Sequence, residues 1–166
     1  MYTGEIRERI LTREGLVAAS KQWQEKGLRL VLTNGLFDIL HVGHIRYLED
    51  AKRYGDILLV AINSDRSAKA LKGEKRPIIE ENDRAYIVAG IRCVDYVTIF
   101  DEENVETLIE IVKPSVHAKG SDYTIESVPE KDLAEELGYR IVIAGDPKDH
   151  ASSSFIENVI NNFCKE

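Results

Sequence analysis

The sequence predicts a doubly wound α/β fold, a mostly parallel sheet of about five strands with helices on both faces. Three observations predict it. Short apolar runs at Leu28–Thr33, Ile57–Ile62, Asp95–Phe100, Ser115–Ala118 and Tyr139–Ala144 alternate with helical segments. Ile57–Ile62 is apolar at every position, as suits a central strand covered on both faces. Strand, motif loop, helix and strand over residues 28–62 have the spacing of a βαβ unit, whose strands lie parallel with a right-handed crossover. The 166 residues suit a single domain, 1–166, with residues 1–11 as a loose polar arm.

The elements follow in order. Thr12 is placed to cap a helix over Arg13–Lys26 that ends at Gly27; Leu16, Ala19 and Trp23 share its packing face. Leu28–Thr33 is the first strand, and a helix from the following motif runs to about Tyr54, before Gly55. Asn63–Ser64–Asp65 closes the second strand. The next segment holds Arg66, Lys69, Lys72, Lys75 and Arg76 against Glu74, a local charge of +4 in an acidic chain. Such a run is ordinarily a solvated face. Here it leaves the carboxyl end of a strand, where open α/β sheets bind ligands. Pro77 opens a second unit, in which a helix from Asn82 or Asp83 to about Arg92 points Ile87, Val88 and Ile91 inward. Arg84 in its first turn opposes the helix dipole, which either a nearby anion or a pairing with Glu80 or Glu81 would explain.

Asn104–Val112 is an amphipathic helix ending before Pro114. Lys119–Gly120–Ser121–Asp122–Tyr123 is a turn-rich stretch at another strand end. Ser127–Pro129–Glu130 starts a helix over Lys131–Leu137 that ends at Gly138. Past the last strand, Ser154 and Glu157 form a capping box for a helix to about Phe163. Ser152, Ser153 and Ser154 at that entrance also make a phosphate site of three hydroxyls.

Thr33–His44, TNGLFDILHVGH, is where the chemistry concentrates. It joins a strand to a helix start, where free N–H groups and the dipole favour an anion. His41 and His44 project toward the same anion, and Gly35 and Gly43 allow close backbone approach. Imidazoles beside oriented amides can hold a phosphate whose charge changes during reaction. The same two histidines could be surface or cap residues. As a metal pair they lack a nearby cysteine or acid at ligand spacing, so no protein metal site is expected.

Composition narrows the function. A net charge of −7 argues against nucleic-acid and membrane partners, which need a basic face. Cys93 and Cys164 form no CxxC, and Met1–Ile10 has no apolar stretch for a signal peptide, so the expected setting is the cytoplasm. No apolar run is long enough to cross a bilayer. GxGxxG, GxxxxGKS/T and GxSxG are absent, which leaves NAD binding, a P-loop and an elbow-type serine hydrolase without support.

The string TNGLFDILHVGH resembles the His-x-Gly-His nucleotidyltransferases, a Rossmann-like family whose two histidines hold the α-phosphate of a nucleoside triphosphate. Further strings occur in the order expected of one branch: Asn63–Ser64–Asp65, Leu71–Lys72–Gly73, Lys75–Arg76–Pro77, Arg84, Val94–Asp95 and Lys119–Gly120–Ser121–Asp122–Tyr123. Over about Thr12–Asn161 the chain is similar to the adenylyltransferase domain of ADP-heptose synthases. Those often carry a fused sugar kinase; here a stand-alone transferase is expected.

The resemblance implies catalytic roles for His41, His44 and Lys72. It implies nucleotide contacts from Thr33, Asn34, Gly35, Phe37, Gly43, Lys119, Gly120, Asp122, Ser152, Ser153 and Ser154. Asp38, Asn63, Asp65, Lys69, Arg76 and Arg84 are its candidates for the acceptor phosphate or substrate. Ser121 stands where the family usually has glycine, and serines replace two threonines at Ser153 and Ser154.

The implied reaction transfers AMP from ATP to a sugar 1-phosphate, D-glycero-β-D-manno-heptose 1-phosphate foremost, with release of pyrophosphate. Mg²⁺ is expected on the substrate phosphates, and a homodimer is expected because relatives commonly pair. Glycerol-3-phosphate cytidylyltransferases and FAD synthetases share the first motif and are alternatives. A nucleotide-binding regulatory module without catalysis is the alternative from another class.

Overall fold

The computed structural model describes residues 5–146 and 152–163. A 3₁₀ turn, Ile6–Arg9, leads into β1 (Ile10–Leu11), α1 (Arg13–Glu25), β2 (Leu30–Gly35), α2 (Val42–Lys52), β3 (Ile57–Asn63) and α3 (Asp65–Lys72). Then come α4 (Glu81–Ala89), β4 (Tyr96–Phe100), α5 (Glu106–Val112), β5 (Val116–Gly120), α6 (Lys131–Leu137), β6 (Arg140–Ala144) and α7 (Ser152–Phe163).

The six strands form one sheet in the order β1-β4-β3-β2-β5-β6, and every pairing is parallel. From β2 the chain builds outward to β3 and β4, then crosses back to place β5 on the other side of β2. The order therefore reverses between β2 and β5, where Leu32 pairs with His117 and Thr33 with Ala118. In a doubly wound sheet the crevice at the carboxyl ends of such strands is the binding position.

The sheet separates two cores. Val31, Leu58, Val60, Val97 and Ala118 pack under α2 and α4 through Leu48, Ala51, Ala85 and Val88. Leu30, Leu32, Leu59 and Ala61 pack under α1, α5 and α6 through Leu16, Trp23, Leu108, Ile109 and Ala134. Adjacent strand residues point to opposite faces, so a strand covered on both sides is buried at every position, and β3 reads as an unbroken apolar run from Ile57 to Ile62.

Some elements correct the sequence reading. Among the described residues there are six strands rather than about five. The sixth is Ile10–Leu11, part of the segment read as a loose arm over 1–11. Two residues carry no periodicity; their order comes from pairing with Val97 and Thr98. Thr98 Oγ1 donates to Leu11 O at 3.0 Å, and Arg9 donates to Ala89 O and Val94 O.

The basic segment folds as α3, capped by Ser64, whose hydroxyl accepts from Ser67 N at 3.1 Å. On α4 the inward face is Arg84, Ala85, Val88 and Ala89, which turns Ile87 outward to 45 % exposure. β5 runs on to Gly120, so Lys119 and Gly120 belong to a strand rather than a turn. α7 begins at Ser152, which puts Ser154 inside the helix rather than at its cap.

Candidate active site

A cleft of about 600 Å³ opens at the carboxyl ends of β2 and β5. It brings together Asn34, Gly35, Phe37, Asp38, His41, Gly43, His44, Asn63, Lys72, Arg76, Lys119, Gly120 and Asp122 of the residues read from the sequence.

The histidines sit at its α2 edge. His41 precedes the first helical residue with extended backbone, and His44 lies in the first turn. Their ring centroids are 4.0 Å apart. The His41 backbone N–H donates to His44 Nδ1 at 3.3 Å. A neutral His44 thus carries its proton on Nε2, a donor suited to a phosphate oxygen. Phe37, held at φ 50°, stacks obliquely 5.5 Å from the His44 ring. A Cβ on Gly35 would meet the Phe37 ring at 3.1 Å, so glycine there lets the phenyl fold back over the strand end.

Asp38 and Arg76 serve first as a clasp. Asp38 is 2 % exposed and accepts from Ile78 N, Ile79 N and Arg76 Nε at 2.6–3.0 Å. Burial opposes ionisation, but the two backbone N–H groups and the guanidinium outweigh it and hold the carboxyl below its ordinary range. The clasp fixes the segment after Lys72 against the loop that leads to His41. Lys72 closes α3 and lines the cleft; Lys69, one turn earlier, is exposed and does not line it.

Arg84 does not line the cleft. It is fully buried and donates to Ile79 O, Leu36 O, Asn63 O and Asp65 Oδ1 at 2.6–2.9 Å. It buttresses the loops behind the cleft, and its carboxylate partner is Asp65 rather than Glu80 or Glu81. Asp65 is thereby committed to Arg84, outside the cleft lining. Thr33 is also structural: its hydroxyl bonds the Tyr47 hydroxyl, which donates to Ala118 O at 2.8 Å and ties β2, α2 and β5 together. Burial raises the Tyr47 phenol above its ordinary pKa.

On the opposite side a buried polar chain begins at Tyr139, whose hydroxyl donates to Glu130 O at 3.1 Å. Lys119 Nζ lies 3.1 Å and 3.0 Å from the Glu130 carboxylate oxygens and 3.2 Å from Asn34 Oδ1. His117 Nε2 lies 3.0 Å from the same Asn34 oxygen. Burial, with Lys119 nearby, pushes His117 down to about 3, so its ring is neutral at neutral pH.

Sequence reasoning missed Arg46, Tyr47, Gly145 and Asp146 in the cleft wall, and named Ser121 and Tyr123 only as part of the strand-end stretch. Arg46 and Tyr47 were findable, since Tyr47 is one helical turn beyond Gly43 on the same face. Gly145, with φ 86°, was not: a Cβ there would lie 3.2 Å from Tyr47 Cα, a closeness set by tertiary packing. Ser121 Oγ donates to Asp146 O at 2.8 Å and joins the two rims. The side chains of Ser152, Ser153 and Ser154 lie outside the described residues.

Paired imidazoles at a helix start share a switch-point crevice with Lys72, and the match to a family of known transferases makes the chain an enzyme of the nucleotidyltransferase class. The chain belongs to the cytidylyltransferase-like family, whose sequence model matches residues 32–163. "Bifunctional protein HldE" of Geobacter metallireducens is 43% identical over 158 residues, 95% of this chain and 32% of that protein. The protein of the same name from Wolinella succinogenes is 48% identical over 136 residues, 82% of this chain and 29% of its own. The chain thus spans about a third of the length of these relatives. A solved structure, the lipopolysaccharide core biosynthesis protein from Thermoplasma volcanium GSS1, is 30% identical with a TM-score of 0.62, covering 74% of this chain and 100% of that one.

Proposed function

We propose that the protein transfers AMP from ATP to D-glycero-β-D-manno-heptose 1-phosphate, giving ADP-heptose and pyrophosphate. The observation that carries the transfer chemistry is the His41–His44 pair at the start of α2, with Lys72 on the same cleft. The acceptor reading is supported by the resemblance to ADP-heptose synthase domains and by relatives named HldE.

In this reading an oxygen of the sugar phosphate attacks the α-phosphorus of ATP in line. A new phosphorus–oxygen bond forms, the bond to the bridging α–β oxygen breaks, and the electron pair leaves with pyrophosphate. The nucleophile is already an anion, so no protein general base is needed. Catalysis is positioning plus charge stabilisation. His44 Nε2–H and the His41 ring hold α-phosphate oxygens, and Lys72 steadies the departing pyrophosphate. In the same reading the hydroxyls of Ser152–Ser154 join Lys72.

Among the described residues no group of three His, Cys, Asp or Glu is placed to hold a metal. Asp38, the most deeply buried carboxylate of the cleft, is already committed to Arg76 and two backbone N–H groups. In this reading Mg²⁺ is part of the substrate, carried by the triphosphate. A cytoplasmic homodimer belongs to the same proposal.

The test is pyrophosphate release with Mg²⁺, crossing ATP and CTP with heptose 1-phosphate, glycerol 3-phosphate and FMN. Release confined to ATP with heptose 1-phosphate is the expected result. Release with CTP and glycerol 3-phosphate, or with ATP and FMN, moves the chain to a sister activity. No release with any pair, together with tight ATP binding, sinks the transferase reading.

A further inference from the structure

The mechanism above makes no use of His117. This ring is fully buried on β5, yet it sits among polar groups at the base of the cleft. Its neighbours fix its state. Lys119 Nζ, held by Glu130, lies 3.2 Å from Asn34 Oδ1 and can only donate. The oxygen of the Asn34 carboxamide therefore faces inward, because the opposite amide orientation would set two donors against each other. His117 Nε2, 3.0 Å from that same oxygen, must then carry the proton. Nδ1 is left bare, and it is the buried ring nitrogen with no hydrogen-bond partner among the described residues. An unsatisfied acceptor there costs less than a buried N–H in a ring carrying the other tautomer, which would also leave Nε2 facing an oxygen.

Two donors thus converge on one oxygen. One donor leaves the amide free to pivot, because the terminal torsion of asparagine is soft. A second donor from β5 fixes the amide plane. Asn34 lines the cleft, and with Oδ1 taken by these two donors its NH₂ group is the half of the amide left for a ligand. We propose that His117 is a positioning residue, which locks the Asn34 carboxamide with both amide protons presented to the triphosphate. This rests on the nucleotidyl-transfer reading of the cleft. It assigns His117 no contact with substrate.

Two measurements test it. Nitrogen-15 NMR of the whole wild-type chain should show His117 as the Nε2–H tautomer. The Asn34 amide protons should shift on addition of ATP, and His117→Leu should shrink that shift. An Nδ1–H or doubly protonated ring, or Asn34 protons indifferent to ATP, overturns the proposal whatever acceptor the enzyme uses.

In pyrophosphate release, His117→Leu should lower kcat about tenfold, the scale of one lost hydrogen bond, with KM for ATP within about twofold. His117→Gln, which retains an N–H donor, should recover most of that loss. On an Asn34→Ala background, His117→Leu should change nothing further. An equal loss on that background makes His117 a packing residue and overturns the proposal. A wild-type chain silent in turnover but with Asn34 protons shifting on ATP counts against the transferase reading and leaves the positioning role supported. If His117→Leu fails to fold, the wild-type tautomer and the Asn34 response still decide.

Discussion

Arg76 Nε donates to Asp38 Oδ2 at 2.6 Å, and this ion pair bolts the segment after the basic helix to the loop that carries His41. The Asp38 side chain is 1 % exposed and Arg76 is 22 % exposed, so the pair is only partly screened by solvent. Asp38→Asn puts an amide N–H against the guanidinium or gives up a backbone donor. We expect a loss of about 1–3 kcal/mol in urea unfolding, the cost of stranding a buried donor. KM for ATP should rise as Lys72 loses its fixed approach. The depressed carboxyl also sets a pH sign: its contribution is present above the ordinary Asp range and is lost as pH falls through the lower folded value. Unchanged stability and unchanged KM would show that the clasp is incidental.

Arg84 tests the distinction between a buttress and a binding residue. Its guanidinium spreads over three carbonyls and one carboxylate with no exposure. Lysine cannot reproduce that fork. Arg84→Lys should cost about 3 kcal/mol or more, because buried acceptors lose donors and Asp65 loses its partner. The melting temperature should drop well before kcat does. A variant that melts like wild type yet loses ATP binding would return Arg84 to the anion site.

These two arginines show what could be read from the sequence and what could not. The β3 run, the α2 entrance and the glycine stops are local patterns, and local physics dictates them. The His41–His44 spacing is local too, so the pairing of these two rings at the cleft was legible. Arg84 looked like an anion ligand because a cation in a first helical turn is unfavourable by local rules. Its real partners come from Leu36 just past β2, Asn63 at the end of β3 and Asp65 at the start of α3. The edge strand β1 and the close approach of Gly145 to Tyr47 were hidden for the same reason: only the assembled fold creates them.

His117 gives a pH prediction of its own. The ring is neutral when folded, with its pKa lowered to about 3, while the unfolded chain titrates near the ordinary histidine value of about 6.5. Below that value the unfolded state binds a proton that the folded state refuses. Its contribution is intact above about pH 6.5 and falls as pH drops toward about 3, by up to about 1.4 kcal/mol per pH unit. The charged groups that face it are Lys119 and Glu130, 3.0 Å apart. Urea unfolding of wild type and His117→Leu at pH 7, 6 and 5 should show the wild type losing stability faster. Parallel slopes would mean the ring charges without cost.

The histidine pair makes the sharpest prediction. His44 Nδ1 accepts from the His41 backbone, which puts the ring proton on Nε2, the donor that the proposed mechanism aims at a phosphate oxygen. Two replacements separate these tasks, because asparagine can place an oxygen near Nδ1 and glutamine can place an N–H near Nε2. His44→Ala should fold normally and lose on the order of 10²–10³ in kcat, the scale for one donor aimed at a developing charge. His44→Asn should keep the α2 start and remain almost as slow as alanine. His44→Gln should retain more turnover than either. His41→Ala should also be slow, with added loss of order at the helix entrance. If asparagine outperforms glutamine, His44 works through the helix start rather than through the α-phosphate, and the charge-stabilising role falls.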